Sequence, residues 1–80
     1  MSTDFFYTQY FEIAVLPKRP YLQLAWCIGV VLHPLKTEQQ PDGRVRFWGY
    51  VPELDRVLRV VTLADRRTIH NAFPDRGFSR

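Results

Sequence analysis

The sequence predicts an α+β domain, an antiparallel sheet of three to four strands with one or two helices packed on one face. Two observations carry that prediction. The apolar stretch LAWCIGVVL (24–32) places Leu24, Cys27, Ile28 and Val31 at helical spacing. Downstream, three strand-like runs rich in Val, Phe, Trp and Tyr follow one another so closely that antiparallel connections must join them. Eighty residues support a single domain (1–80) with one modest core. Chemistry therefore belongs on an open face rather than in a deep cavity.

Taken in order, residues 4–16 (DFFYTQYFEIAVL) fit two states. Phe6, Tyr10 and Ile13 share a helix face, whereas the aromatic content suits an opening strand. Pro17 and Pro20 enclose a basic break, Lys18-Arg19. A helix runs from about Tyr21 to Leu32, its stripe broadened by Trp26 and Val30. His33-Pro34 ends it, because proline disfavours a helical residue before it. His33 then faces the carbonyl end of the helix, a structural role. KTEQQ (36–40) reads as a polar connector, and Pro41-Asp42-Gly43 as a turn with fixed φ, a side-chain acceptor and a residue free to take positive φ.

The strand runs are RVRFWGYV (44–51), RVLRVVTL (56–63) and RTIHNAF (67–73). Alternation sets Val45, Phe47, Gly49 and Val51 against Arg44, Arg46, Trp48 and Tyr50. With Leu58 and Val60 toward the core, Arg59 points outward between Val57 and Val61. Ile69 and Phe73 form the natural core pair of the last run, which turns His70 outward. Pro74-Asp75-Arg76-Gly77 is a β-turn with Asp75 as its acceptor, returning Phe78 to the core. The face opposite the helix thus carries Arg44, Arg46, Trp48, Tyr50, Arg59 and His70.

Charge follows the same division. Residues 1–40 balance three cations against three acids, while residues 41–80 hold eight cations, all arginine, against five acids. Arginine offers a planar fork suited to phosphate and stacks on rings. Guanidinium groups interleaved with aromatic rings suit single-stranded nucleic acid. Three plainer uses account for the same residues: solubilising Arg–carboxylate pairs, an edge whose rings cover Arg stems, and a homodimer or acidic-partner contact.

The lone Cys27 excludes an intramolecular disulfide and reads as a small buried hydrophobe. Two separated histidines and one cysteine form no metal-ligand cluster, and no phosphate loop or nucleophile elbow is present. The longest uncharged apolar run has nine residues, short of the roughly 20 a membrane span needs. MSTDFFYT lacks the basic start of a secretory signal. A cytoplasmic protein without a cofactor is expected.

The basic break, the helix closing in His-Pro-Leu, PDGRVRFWGYV, RVLRVVTL and RTIHNAF together resemble small bacterial proteins of the RelE/ParE-like toxin superfamily. The resemblance is closest to the BrnT-like branch and spans roughly residues 10–80. It implies helices on one face of an antiparallel sheet and a small antitoxin-like partner; many members cleave RNA from the other face, while others act on gyrase or have no assigned activity. Related domains often place a histidine near the first helical segment, where this chain has Tyr7, Tyr10 and Phe11.

Metal-independent RNA cleavage needs a base near the 2′-hydroxyl and cations on the developing phosphorane charge. His70 is the only side chain in the basic half whose ordinary pKa lies near neutrality. The candidate catalytic set is therefore His70, Arg59 and Arg46, with Arg44, Trp48, Tyr50, Arg76 and Arg80 as nucleic-acid contacts. Two functions follow: an endoribonuclease toxin of a toxin–antitoxin pair, or a non-catalytic accessory module of phage or plasmid type that holds nucleic acid or a protein.

Overall fold

A computed structural model of the chain describes residues 4–78. Its elements are β1 (Phe6–Tyr7), a π-helical turn (Phe11–Val15), α1 (Leu24–Leu32), β2 (Lys36–Gln39), β3 (Val45–Val51), β4 (Arg56–Thr62) and β5 (Thr68–Pro74). The fold is α+β, but the sheet has five strands in the order β1-β5-β4-β3-β2. It is also mixed: β1 runs parallel to β5, while the other pairs are antiparallel.

The central meander is the expected one. β3 and β4 pair in unbroken register from Val45↔Thr62 to Val51↔Arg56. The turns use the chemistry their residues suggest. Gly43 takes φ +93° while Asp42 Oδ1 accepts the Arg44 N–H at 3.0 Å. Between β4 and β5, Arg66 adopts φ 59° and Asp65 Oδ1 accepts the Arg67 and Thr68 N–H groups.

Several further expectations are corrected or resolved. KTEQQ is largely strand rather than connector: Lys36–Gln39 pairs with Val45–Trp48 at the sheet edge. All four β2 residues are exposed, so no apolar alternation marks the strand, and its charges discourage further pairing. The ambiguous opening contains both states in sequence, a two-residue strand and then the π-helical turn, and that strand makes the sheet mixed.

In β5 the predicted core pair of Ile69 and Phe73 is wrong. Val61 pairs with Asn71 but Thr62 pairs with Ile69, so His70 is the extra residue of a bulge. The bulge shifts the alternation by one residue, and Ile69 and Ala72 become the fully buried pair. Phe73 moves to the opposite face, under the Arg59 guanidinium at 4.8 Å. His70 also leaves the core, by the bulge rather than by simple alternation. Phe78 does not return to the core either; it stacks on Trp48 on the open face, ring centroids 6.0 Å apart.

The core lies between the sheet and the helical segments. Phe11 and Val15 from the turn, with Cys27, Val30 and Val31 from α1, meet Leu58 and Val60. α1 begins later than expected, at Leu24, and ends where His33 donates its N–H to the Gly29 carbonyl. Gly49 lets it approach β3: a Cβ there would lie 3.0 Å from Val30 Cγ2 and 3.3 Å from Val30 Cα. No helix among the described residues is long and apolar enough to cross a membrane.

Cys27 is a packing residue. It has no solvent exposure, and burial pushes its thiol up to about 12. A thiol reagent should therefore label the native protein far more slowly than the urea-unfolded chain. Equal rates in the two states would contradict this placement.

Candidate functional site

The face of the sheet away from α1 presents Arg46 and Trp48 from β3, Arg59 and Val61 from β4, and Asn71 and Phe73 from β5. All of these but Trp48 border an open bowl of about 280 Å³, completed by Tyr10, Gln40, Arg44 and His70. The proposed catalytic residues His70, Arg59 and Arg46 thus converge in one depression, with Arg44 beside them.

The chain immediately after β1 orients His70. Thr8 accepts the Phe11 N–H through Oγ1 at 3.1 Å and the Glu12 N–H through its carbonyl, capping the following turn. The same Oγ1 lies 3.1 Å from His70 Nδ1. Tyr10 stacks on the imidazole, centroids 4.9 Å apart and planes 28° from parallel. Partial burial, then the nearby Arg44 charge, hold His70 below its ordinary pKa of 6.5. The ring is therefore mainly neutral at pH 7. In the tautomer whose Nδ1 donates to Thr8, Nε2 remains free to accept a proton.

Each arginine is held differently. Arg46 donates from Nη1 to Glu38 Oε1 at 3.2 Å. The Gln40 amide oxygen, in the orientation that satisfies both groups, accepts from Arg46 Nη2 at 2.8 Å and Nε at 3.2 Å. Arg59 donates from Nε and Nη2 to Asp75 Oδ2, at 3.1 and 2.9 Å. Arg44 is exposed and only loosely paired, its Nη1 lying 3.8 Å from Asp42 Oδ2.

The remaining candidates lie elsewhere. Trp48, expected to stack a base, is 6% exposed and covered by the Lys36 ammonium, the Arg59 guanidinium and Phe78. Tyr50 donates to Asp55 Oδ1 at 2.5 Å and, with Arg76, lines a second depression of about 520 Å³. Arg80 lies outside the described residues. A third depression, between α1 and the end of β3, is largely apolar and includes Trp26 and Val30. No group of three or more potential metal-binding His, Cys, Asp or Glu side chains occurs among the described residues.

Sequence reasoning missed Thr8, Tyr10, Gln40 and the second role of Asp75. Tyr10 and Thr8 belong to the segment whose conformation was ambiguous. Asp75 was read only as a turn acceptor, which its Oδ1 is, taking the Gly77 N–H at 3.0 Å. Its Oδ2 also accepts the Trp48 indole N–H at 2.8 Å, and that contact needs the fold to be seen.

No protein-family model matches the chain, and comparison with curated proteins and with solved structures finds no match.

Proposed function

We propose that this protein is a metal-independent endoribonuclease, the toxin of a cytoplasmic toxin–antitoxin pair, acting on single-stranded RNA at the bowl. The observation that carries the reading is an oriented, mainly neutral imidazole sharing an open depression with three guanidinium groups. The RelE/ParE-like resemblance supports the toxin role and a small antitoxin-like partner covering this face.

His70 Nε2 takes the proton of the 2′-hydroxyl as the 2′-oxygen bonds to phosphorus. The bond from phosphorus to the 5′-oxygen breaks, and that oxygen takes a proton from water in the open bowl. His70 then returns its proton to solvent. The products are a 2′,3′-cyclic phosphate and a 5′-hydroxyl. Arg44 and the unengaged edge of Arg59 stabilise the phosphorane charge, and Arg46 joins by exchanging Glu38 for phosphate.

One observation favours the second reading, binding without turnover. Arg46 and Arg59 already hold carboxylates, which reduces the positive field of the bowl. Inducible expression of wild type and His70→Ala in a bacterial host separates the two. The nuclease predicts growth arrest with fragmented total RNA for wild type and neither for a soluble variant. Normal growth with intact RNA, given soluble wild-type protein, would overturn it and leave the binding module.

A further inference from the structure

The turn after β5 reaches Arg59, one of the residues that line the bowl, through a single side chain. Asp75 continues the sheet by donating its N–H to the Val57 carbonyl at 2.9 Å, which fixes its backbone against β4. Its Oδ1 closes the turn on Gly77. Its Oδ2 gathers three donors: Trp48 Nε1 at 2.8 Å, Arg59 Nη2 at 2.9 Å and Arg59 Nε at 3.1 Å. The Asp75 side chain is only 13% exposed and that of Arg59 28%, so this pairing is shielded from water.

Rings restrain the same guanidinium. Its carbon lies 4.8 Å from the Phe73 centroid and 5.6 Å from that of Trp48. Asp75 occupies the Nε side of the fork. Both Nη1 hydrogens and the second Nη2 hydrogen then remain for a ligand, and Arg59 lines the bowl.

We infer that Asp75 is a positioning residue: it locks Arg59 by its Nε edge so that the Nη1 edge is presented to the phosphate of the bound RNA. The inference rests on the RNA-cleaving reading of the bowl. The carboxylate stays charged through neutral pH, because the Trp48 N–H and then Arg59 hold it below the usual carboxylate range. Without it, a long side chain must order itself at the moment of binding, and part of the charge stabilisation is lost. An ion pair serving only stability would leave kcat unchanged in a folded Asp75→Asn variant.

The test is a cycle of wild type, Asp75→Asn, Arg59→Ala and the double variant, each checked for folding by circular dichroism. Cleavage of a single-stranded RNA oligonucleotide gives kcat and KM. The 2′-deoxy oligonucleotide of the same sequence, which has no nucleophile, gives the dissociation constant. Asp75→Asn places an amide against donors, and kcat should fall by roughly 10- to 100-fold, the range for losing a charge-assisted hydrogen bond, with a smaller change in KM. In the Arg59→Ala background the same change should have almost no further effect. Additive losses, or an unchanged kcat in Asp75→Asn, would overturn the positioning role.

The Arg59 Nε–H nuclear magnetic resonance signal separates this inference from the cleavage reading. It should be distinct and exchange-protected in wild type and averaged in Asp75→Asn. If wild type cleaves nothing but Arg59 is locked and the cycle is non-additive in deoxy-strand binding, the nuclease fails and the positioning stands. If Arg59 is already averaged in wild type, the positioning fails whatever the cleavage result.

Discussion

Under the proposed nuclease function, replacing His70 with alanine should lower RNA cleavage by about 100- to 10,000-fold, the usual contribution of a positioned general base. The fold should survive, because His70 lies at a bulge on the open face and not in the core. Its pH profile gives a second check. The proposed base would work only when neutral, and burial and then Arg44 hold the His70 pKa below 6.5. Cleavage should rise with pH along an acid limb centred below 6.5 and flatten by neutrality. His70→Ala should lose that limb.

Stability changes in the same direction. The unfolded chain binds the His70 proton first, so stability falls as pH drops through 6.5 toward the lower folded value. An acid limb above 6.5, or a residual rate in His70→Ala within tenfold of wild type, would remove the imidazole from the chemistry.

Phe11→Ala should cost about 3–5 kcal/mol of folding stability, the range for deleting a buried aromatic side chain. Phe11 has no solvent exposure and joins the π-helical turn to the core shared by α1 and the sheet. An 80-residue domain has roughly 4–12 kcal/mol in total, so the loss is a large fraction of it. The melting temperature should fall by roughly 15 °C or more, using the usual scaling for a domain of this size.

The effect extends to the bowl. Phe11 donates its N–H to Thr8, the residue that meets His70. Loosening the turn therefore frees the imidazole even where the variant remains folded. Ile13→Ala in the same turn is the control: Ile13 is 60% exposed, and its loss should stay within about 0.5 kcal/mol. Urea unfolding of the two variants measures both values. A Phe11→Ala loss below 1 kcal/mol would contradict the packing described.

The meander was legible because short separations between apolar, β-branched runs permit few topologies. The shared face of Arg46 and Arg59 was legible because alternation along β3 and β4 assigns it. Other features depend on tertiary structure. β1 contributes two residues, and its partner β5 lies about sixty positions downstream, joined by nothing local. β2 is polar and exposed, so its pairing leaves no hydrophobic signature. The bulge at His70 arises from the β4–β5 pairing and overrides the simple alternation of β5. Asp75 fulfils its turn role through Oδ1 alone, so nothing local marks the bond that Oδ2 accepts from Trp48, and the cover over Trp48 comes from Lys36, Arg59 and Phe78, distant from it in sequence or on other strands.

The most direct test of the bowl as a nuclease uses a DNA oligonucleotide carrying one ribonucleotide, incubated in EDTA with wild type or His70→Ala and analysed by mass spectrometry. A single cut 3′ of the ribonucleotide is predicted, leaving a 2′,3′-cyclic phosphate and a 5′-hydroxyl, with no cut by the variant. An uncut strand, or the same cut by folded His70→Ala, would contradict the assignment of the base.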